Sequence, residues 1–374
     1  MRLLITGPAL DDPGGVAGYY RNLLPCFEAL PGMVAVRYVE IGSTAAQGRL
    51  ARLRDDQRRV REAAVEFQPT VALVNPSLNL KSFLRDGLWV RRLTARGHPL
   101  VVLFHGWELP FAARLDRLGG WPFRLLYGGA ERFIVLAEEF RRALQGWLPA
   151  ATVVCDTTTV EQRLFGLSRA EPAENGAGRA VKLLFMSRLV AGKGADLAIE
   201  AVRLLTQQGA EVRLTIAGDG PDRPALQALI DRNGLSERVT LAGYLRGADK
   251  QAALSGHDIF LFPSTYGEGM PTVVLEAMAA GMAVVTTPVG GLRDFFDPAR
   301  MGRLIDEVSA PAIASQVADM LDSPTQLLEI SRFNQSHARE HFHPQVVAGR
   351  IHDQLIAAAA RASAHGGEAM QGRR

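Results

Sequence analysis

Two glutamates flank an apolar run in the stretch Glu268–Glu276, which reads EGMPTVVLE. Their separation of eight positions is a little over two helical turns, so both carboxylates can lie on one face of a helix. In the alternative, Glu268 lies on a loop and Glu276 lies inside the helix that follows. Carboxylates accept hydrogen bonds, and the vicinal hydroxyls of a ribose or another sugar are suitable donors. The residue types therefore predict either shared acid–base chemistry or two separate contacts to hydroxyl groups.

The backbone between the two glutamates has the features of a helix N-terminus. Pro271 suits the first turn of a helix, where its missing N–H group is not needed. Free N–H groups around Gly269, Met270 and Thr272, with the positive end of the helix dipole, then form an anion site. The alternative for Glu276 is a capping or surface acid, but its apolar neighbours favour a buried carboxylate that has partners.

A second group of charged residues follows the apolar run VKLLFM. The loop Ser187–Gly194, SRLVAGKG, places Arg188 directly after this predicted strand and Lys193 directly before a predicted helix. An arginine fork, a lysine point charge and glycines that admit an anion are the parts of a diphosphate site. The alternative is a solvent-exposed basic loop. Gly243 and Tyr244 follow a later strand, where backbone and ring can flank a planar base.

Glycines and a histidine mark two further strand ends in the first half of the chain. Gly14 and Gly15 precede a predicted helix, so their N–H groups can face a phosphate. The GxGxxG spacing of a dinucleotide-binding loop is absent. His105 ends the apolar run VVLFH, a position at which a structural role is as common as a functional one. The following Gly106 and Trp107 favour a functional, exposed histidine.

Short apolar runs alternate with helix-length amphipathic segments along both halves of the chain, and 374 residues fit two domains. Unbroken apolar strands separated by helices predict parallel sheets that are covered on both faces. The fold class is therefore α/β, with two doubly wound domains and an interdomain cleft. Ligands of such sheets lie beyond the carboxyl ends of the strands.

The alternation stops between residues 161 and 180. This stretch is rich in Pro, Gly, Asn and Ala, a composition that predicts a linker. We therefore expect an N-terminal domain over residues 1–165 and a C-terminal domain over residues 180–342.

The net charge of +3 is unevenly distributed. Residues 1–160 hold 20 Lys and Arg against 15 Asp and Glu, whereas residues 161–374 hold 22 against 24. Much of the excess lies in Arg49–Arg61, RLARLRDDQRRVR. This run is either a solvated helix face or a patch for anionic lipid head groups or a phosphorylated substrate. No basic module with interleaved aromatic residues is present, so nucleic acid is not an expected partner.

Cysteine content and hydropathy indicate which disulfides, metal sites and membrane spans can be expected. Cys26 and Cys155 are the two cysteines, which is too few for a disulfide framework, and no CxxC or Cys/His cluster indicates a metal site. No run approaches 18 apolar residues, so no membrane-spanning helix is expected. We expect neither a metal ion nor a bound cofactor.

In their order along the chain, these motifs resemble those of the retaining glycosyltransferases of family 4. The matching stretches are Gly14-Gly15, His105-Gly106, FMSRLVAGKG at 185–194, AGDGP at 217–221 and PSTYGEGMPTVVLEAMAAGMAVVTTPVGG at 263–291. The resemblance implies the GT-B architecture of two Rossmann-like domains, with a C-terminal helix, residues 343–374, that crosses back to the first domain. It also implies metal-independent sugar transfer from a nucleotide-diphospho-sugar, with retention and without a dedicated protein nucleophile.

The same resemblance gives roles to the matching residues. Arg188 and Lys193 hold the donor diphosphate and stabilise the departing nucleoside diphosphate. The other implied roles are ribose binding by Glu276, sugar-hydroxyl contacts by Glu268, phosphate contacts by the backbone of Gly15 and of Gly269 to Thr272, and proximity of His105 to the sugar and acceptor.

The acceptor side is expected in the first domain, where the candidates are Tyr19, Tyr20, Asn75, Lys81, Arg85, Trp107 and Phe111. For Trp107 and Phe111, packing against neighbouring helices is the alternative. The expected acceptor is a glycan or lipid-diphosphate-linked glycan of bacterial exopolysaccharide, capsule or O-antigen, extended in the cytoplasm or at the inner face of the cell membrane. A nucleotide-sugar epimerase of the same fold and a binding module without catalysis remain as alternatives.

Overall fold

The computed structural model describes residues 1–12, 14–42, 48–167 and 180–371. By its internal contacts the chain divides into two units. Unit 1 comprises Met1–Thr159, Gly267–Met270 and Pro344–Arg374, and unit 2 comprises Val160–Tyr266 and Pro271–His343. Most of the predicted linker, residues 168–179, lies outside the described residues, and so do residues 372–374.

Unit 1 begins with alternating strands and helices. In chain order its elements up to residue 159 are β1 (Arg2–Gly7), α1 (Gly15–Glu28), β2 (Ala35–Glu40), α2 (Arg49–Phe67), β3 (Val71–Val74), β4 (Ser77–Leu78), α3 (Leu80–Thr94), β5 (Leu100–Leu103), β6 (Gly106–Trp107), α4 (Leu109–Arg117), α5 (Trp121–Tyr127), β7 (Arg132–Val135), α6 (Glu138–Trp147) and β8 (Thr152–Cys155).

Unit 2 repeats the alternation after a short 3-10 turn, Gln162–Gly166. Its elements, followed by the C-terminal helix that returns to unit 1, are β9 (Val181–Met186), α7 (Ala195–Gln207), β10 (Val212–Ala217), α8 (Arg223–Arg232), β11 (Val239–Gly243), α9 (Gly247–Gly256), β12 (Ile259–Phe262), α10 (Thr272–Ala279), β13 (Ala283–Thr286), α11 (Leu292–Phe295), β14 (Gly302–Leu304), α12 (Ala310–Leu321), α13 (Pro324–His341) and α14 (Pro344–Gln371).

Each unit contains a six-stranded sheet whose pairs are parallel. The order is β2-β1-β3-β5-β7-β8 in unit 1 and β11-β10-β9-β12-β13-β14 in unit 2, and β4 and β6 form a separate pair. The strand order reverses between β1 and β3 in unit 1, and between β9 and β12 in unit 2. Ligands of open parallel sheets bind at such switch points, beyond the carboxyl ends of the strands.

Apolar side chains alternate between two cores on the faces of the unit 1 sheet. Leu4 of β1 packs among α2, α3 and α6, whereas Leu3 and Ile5 pack on the opposite face with α1 and α14. Since both faces are buried, the strands read as unbroken apolar runs in the sequence. The prediction of a doubly wound α/β fold rests on this property of the strands.

Helix α14 completes the second of these cores. Its buried residues Val347, Ile351 and Leu355 pack against the sheet of unit 1. Arg350 of this helix donates a hydrogen bond to Asp156, which follows β8, at 2.8 Å. None of the helices in the described part of the chain is long and apolar enough to cross a membrane.

Candidate functional site

The loop after β9 carries Arg188 and is held by the glycine-rich turn AGDGP. The N–H of Leu189 donates to the carbonyl of Asp219 at 2.9 Å. A Cβ at Gly218 would lie 1.8 Å from the carbonyl oxygen of Ser187, so only glycine permits this approach. The turn therefore positions the Arg188 loop, and its glycines have a structural reason to be there.

Lys193 lies at the end of the same loop, directly before α7, with only 5% of its surface exposed. The next residue, Gly194, has a φ of 83°, and a Cβ there would lie 2.5 Å from the carbonyl oxygen of Pro263. The carbonyl of Gly192 accepts the N–H groups of Thr265 at 2.8 Å and of the following tyrosine at 3.1 Å. The loops after β9 and β12, the two strands at the switch point, are thereby joined.

The ring of Tyr266 lies near both predicted cations. Its ring centroid is 5.7 Å from the guanidinium carbon of Arg188 and 4.5 Å from the ammonium nitrogen of Lys193. Both distances are in the range of cation–π attraction. Arg188 is exposed and Lys193 is buried, so one ring supports a surface charge and an interior charge. This tyrosine was not among the residues predicted from the sequence, although its place in the motif PSTYGEG was a usable signal.

The N-terminus of helix α10 follows directly on the loop after β12. Pro271 occupies the position before the first helical residue, Thr272, and no side chain caps the first turn. The uncapped N–H groups and the helix dipole favour an anion at this end. Glu268, Gly269 and Met270 lie on the loop ahead of the helix and are partly buried. The shared-face arrangement of Glu268 and Glu276 was therefore wrong, and the loop-then-helix alternative is the one observed.

Glu276 lies inside α10 and is 6% exposed. Its Oε1 atom accepts from the ammonium nitrogen of Lys250 on α9 at 2.6 Å, and its Oε2 atom is buried with no partner in the described residues. Burial raises the pKa of this carboxyl, Lys250 opposes that rise, and Glu161 adds to it. The expectation of a buried, partnered acid is met by Lys250, a residue that the sequence reasoning missed.

Gly243 is the last residue of β11, and Tyr244 follows it. Gly243 has a φ of 72°, which only glycine adopts at low cost, and its carbonyl accepts the N–H of Gly218 at 2.7 Å. The ring of Tyr244 is 61% exposed and lies 4.7 Å from the guanidinium carbon of Arg246. An exposed aromatic face at a strand end is available for stacking.

In unit 1, Gly14 and Gly15 form the start of α1. Within the part of the chain that the structure describes, no side chain caps this helix, and a Cβ built on either glycine would meet no atom within 4 Å. The space beside both glycines is therefore open to an approaching ligand. Residue 13, in the same loop, lies outside the described residues.

His105, whose own surface is partly exposed, belongs to a polar network at the switch point of unit 1 whose other members are buried. β5 ends at Leu103, so His105 follows the strand and does not end it. Asn75 donates through Nδ2 to the carbonyl of Thr6 at 2.8 Å, and its Oδ1 atom accepts from the hydroxyl of Tyr20. The same Oδ1 lies 3.2 Å from Nε2 of His105. That nitrogen must donate, which leaves Nδ1 as a hydrogen-bond acceptor.

The charge state of His105 follows from its burial, which lowers its pKa to about 3. The ring of Tyr19 packs edge-on at a centroid distance of 4.8 Å. The Tyr19 hydroxyl is buried without a partner among the described residues, and burial raises its pKa. The histidine is thus a neutral imidazole among neutral hydroxyl and amide groups.

Gly269 lies against this network, because a Cβ on it would be 2.6 Å from the carbonyl oxygen of His105. By contacts, the segment Gly267–Met270 belongs to unit 1, whereas Pro271 onward belongs to unit 2. The two glutamates of the opening motif are therefore divided between the two units.

The remaining acceptor candidates are not joined to this network. Trp107 is 5% exposed and its ring is stacked at 4.5 Å from Phe140 and 5.7 Å from Trp147. Phe111 is also buried, with its ring 5.3 Å from that of Phe83. For both residues the packing alternative is the one observed, because their rings are buried against other aromatic side chains of unit 1. Lys81 is exposed in the first turn of α3.

Metal ligands require several donor side chains at one place. Within residues 1–12, 14–42, 48–167 and 180–371, no group of three or more His, Cys, Asp and Glu side chains is placed to hold an ion.

Several solved structures share the fold of this chain. Sucrose-phosphate synthase from Thermosynechococcus elongatus superposes with a TM-score of 0.71 at 18% identity, covering 96% of this chain and 99% of that one. Anabaena Alr3699/HepE in complex with UDP and glucose gives 0.70 at 17% identity, covering 96% and 100%. At such identities the likeness shows the fold alone. The predicted GT-B class, with two Rossmann-like domains, is confirmed.

The sequence comparisons show which proteins the chain is similar to, and the matching family model covers less than half of the chain. Residues 169–337 match the model described as glycosyl transferases group 1. WcaL of Salmonella typhimurium, named as a colanic acid biosynthesis glycosyltransferase, is 32% identical over 177 residues, which are 46% of this chain and 43% of WcaL. The chain thus aligns with less than half the length of that relative. The resemblance to family 4 glycosyltransferases is confirmed, and the epimerase alternative finds no support among these relatives.

Proposed function

We propose that the protein is a retaining, metal-independent glycosyltransferase that moves a sugar from a nucleotide-diphospho-sugar to a glycan or lipid-linked glycan. The observation that carries the proposal is the arrangement of Arg188 and Lys193 around Tyr266 at the switch point of unit 2. Two cations at one strand end beside an uncapped helix N-terminus suit a diphosphate.

Stabilisation of the leaving group is the chemical task that these residues perform in the proposal. Transfer breaks the bond between the anomeric carbon and the diphosphate, and negative charge develops on the departing phosphate oxygen. Lys193 is largely shielded from water, so its charge acts at a lower effective dielectric than that of exposed Arg188. The two side chains and the α10 N-terminus fill the role that a metal ion has in other diphosphate sites.

The polar network of unit 1 supports a binding role for His105. An imidazole with a pKa of about 3 is a weak proton acceptor at neutral pH. Its Nδ1 atom accepts a hydrogen bond from a hydroxyl of the transferred sugar or the acceptor. Glu268 contacts other hydroxyls of that sugar, and no protein nucleophile is invoked, which is consistent with retention in the family that the chain resembles.

The donor and product classes are taken from the relatives. UDP and glucose are the ligands named for Anabaena Alr3699/HepE, so a uridine-diphospho-sugar is the first donor to test. The name of WcaL places that relative in colanic acid biosynthesis. We propose a bacterial envelope or secreted polysaccharide as the product. The positive first half of the chain supports work in the cytoplasm at the inner face of the cell membrane.

The test is release of nucleoside diphosphate from a panel of nucleotide sugars, with and without glycan acceptors and in the presence of EDTA. Acceptor-dependent release that EDTA leaves unchanged, with a product that keeps the anomeric configuration of the donor by NMR, is expected. Interconversion of nucleotide sugars without release, or binding without turnover, would overturn the proposal. Loss of turnover in EDTA would overturn metal independence alone.

A further inference from the structure

The ion pair of Lys250 and Glu276 has unused hydrogen-bonding capacity on both partners. One N–H of the Lys250 ammonium group meets Oε1 of Glu276 at 2.6 Å. The ammonium carries three donors, and the described residues provide no partner for the other two. Oε2 of Glu276 is buried and accepts from no described donor. The pair therefore offers donors and an acceptor side by side.

A vicinal diol is the ligand group that matches this combination, because each hydroxyl both donates and accepts. The family resemblance already implies a ribose contact for Glu276, and we propose that Lys250 joins it as a second ribose-binding residue. Oε2 of Glu276 accepts from one hydroxyl, and Lys250 donates to the oxygen of its neighbour. This inference rests on the proposed function and adds to it a specificity-determining residue, Lys250, on α9.

The pair also fixes the charge of the glutamate. Glu276 sits on α10, and the charged groups that act on it are Lys250 from α9 and Glu161 from the segment before the 3-10 turn. Burial and Glu161 favour the protonated carboxyl, and Lys250 opposes both. Removal of the lysine is therefore expected to raise the pKa of the carboxyl further, and a protonated carboxyl is a poorer acceptor for a ribose hydroxyl.

The experiment measures binding of UDP and of 2′-deoxy-UDP to the full chain by calorimetry. The wild-type protein is expected to bind UDP roughly 10-fold or more tightly than the deoxy analogue, as for a lost hydrogen bond to a charged group. Lys250→Met is expected to remove most of that ratio, and Lys250→Arg to restore part of it. A purely structural role would weaken both ligands equally and leave the ratio unchanged.

The pH profile provides an independent readout. In Lys250→Met, UDP affinity is expected to rise with pH as Glu276 loses its proton, whereas the wild-type profile stays flat over the same range. If Lys250→Met does not fold, Glu276→Gln with the lysine retained serves instead and is expected to lose the ribose preference. A wild-type chain that binds no nucleoside diphosphate contradicts the proposed function. Binding with a ratio insensitive to both variants contradicts only the role of the pair.

A different observation, a basic groove between α2 and α3 of unit 1, carries a second inference. The groove has a volume of about 640 Å³. Its described lining includes no acidic residue and has five arginines, namely Arg54, Arg58, Arg61, Arg92 and Arg96. A neighbouring depression of about 440 Å³ along α3 shares Arg92 and Arg96 and adds Arg91. We call this feature the arginine groove.

Much of this charge is uncompensated. Arg58 pairs with Asp55 at 2.7 Å, and Arg92 donates to the side-chain oxygen of Gln57. Within the described residues, Arg54 and Arg61 have no carboxylate at ion-pair distance. An anionic ligand therefore meets free guanidinium groups at this surface.

Two buried donors in the groove also lack acceptors. The indole N–H of Trp89 and the Nε2 amide of Gln57 both belong to lining residues and donate to no acceptor in the described residues. An unsatisfied buried donor is costly, and the oxygens of a phosphate supply the missing acceptors. The groove thus combines arginine charges, which attract an anion at long range, with N–H donors that can bind its oxygens at short range.

An apolar stripe leads away from the groove along α3. Leu88 lines both the groove and the depression, and Leu84 and Leu80 precede it at spacings of four residues on the same helix face. Leu84 and Leu80 are 49% and 54% exposed. Inorganic phosphate or a nucleic acid gives these leucines no partner, whereas a lipid carries both a phosphate and acyl chains. We propose that the arginine groove binds the phosphate of an anionic phospholipid at a membrane surface.

The test is co-sedimentation of the full chain with vesicles of phosphatidylglycerol and phosphatidylcholine, against vesicles of phosphatidylcholine alone. Arg54→Gln with Arg61→Gln is expected to weaken binding to the anionic vesicles roughly 10- to 30-fold. Arg213→Gln with Arg232→Gln removes the same charge from exposed positions in unit 2 and is the matched control. If both double variants lose vesicle binding equally, the attraction is non-specific, and the proposed lipid site is wrong.

Further measurements separate the lipid from other anions. Trp89→Phe keeps the ring but removes the N–H donor, and it is expected to weaken vesicle binding several-fold. Binding of inorganic phosphate or single-stranded RNA that depends on the same arginines, without vesicle binding, would overturn the lipid proposal. Nucleoside diphosphate release with a water-soluble acceptor is expected to be unchanged in Arg54→Gln with Arg61→Gln, which separates this site from the transferase site.

Discussion

The switch points of the two sheets are built from the same kinds of element but carry different chemistry. In unit 2, the loops after β9 and β12 bring Arg188 and Lys193 to one tyrosine ring, and the site is cationic. In unit 1, the residues after β3 and β5 bring Asn75 and His105 together with buried hydroxyls, and the site is neutral. A parallel sheet thus decides where a ligand lies, and the loop residues decide whether charge or hydroxyl groups are recognised there.

The largest expected effect concerns the aromatic core of unit 1 that contains Trp107. Trp107→Ala removes an aromatic side chain stacked on Phe140 and Trp147, and the resulting cavity is expected to lower the free energy of unfolding by roughly 3–5 kcal/mol. Chemical denaturation measures this loss. Lys81→Ala, at an exposed position, is the control, with an expected change within about 0.5 kcal/mol. A stable Trp107→Ala protein with an altered KM for the acceptor would restore the lining role.

The next effect tests the cationic site. Arg188→Ala and Lys193→Ala are each expected to lower turnover roughly 10²-fold, because each removes charge that stabilises the departing diphosphate. Arg213→Ala, on the exposed side of β10, is the control and is expected to retain turnover. Near-normal rates in either active-site variant would remove the distinction between the two switch points.

A smaller effect is expected from the network of unit 1. Asn75→Ala leaves the hydroxyl of Tyr20 and Nε2–H of His105 without their shared acceptor, and it is expected to cost roughly 1–3 kcal/mol in unfolding free energy. Tyr20→Phe removes one donor and leaves the acceptor in place, so a loss of about 1 kcal/mol is expected. Equal losses in both variants would show that Asn75 does not organise the network.

The last effect is a pH dependence of stability, which is absent at neutral pH and grows as the pH falls. Above pH 6.5 the imidazole of His105 is neutral in the folded and unfolded chains, so it contributes no slope. Below that value the unfolded chain takes up a proton that the folded chain refuses until its pKa of about 3 is reached. Stability therefore falls as the pH is lowered from 6.5 towards 3, and His105→Gln is expected to make the decline shallower.

A second histidine provides the comparison for that measurement. Burial lowers the pKa of His337 to about 4, with a further lowering by His341, so it acts in the same direction. His337→Gln is expected to reduce the slope between pH 6.5 and 4 and to leave turnover unchanged. An unchanged slope in His105→Gln would indicate that the imidazole is accessible to protons in the folded chain.

Much of the fold was predictable because buried parallel strands are unbroken apolar runs. The bounds of β8, β9, α6 and α7 follow from the sequence pattern directly. β4, β6 and β14 were not predicted, since two or three residues carry no periodicity. Residues at strand ends, such as Arg188 and Asn75, were predictable because the sheet brings those ends to one edge.

The residues that sequence reasoning missed depend on tertiary packing. Lys250 reaches Glu276 from a different helix, so its role follows from the packing of α9 and α10, and no local spacing encodes it. Trp107 follows His105 closely but packs into the core, because β6 turns its side chain towards α6. Aromatic residues near a functional position are therefore ambiguous in a sequence, whereas glycine and charge patterns at strand ends are more informative.

The packing of α14 sets the order in which the two units are completed during synthesis. Unit 2 is formed by one nearly continuous stretch, residues 160–343, apart from the short segment Gly267–Met270. Unit 1 needs Val347, Ile351 and Leu355 to cover Leu3 and Ile5, so β1 is not fully buried until α14 has been made. A chain shortened before α14 therefore leaves an apolar sheet face open, which is a surface that chaperones and proteases recognise.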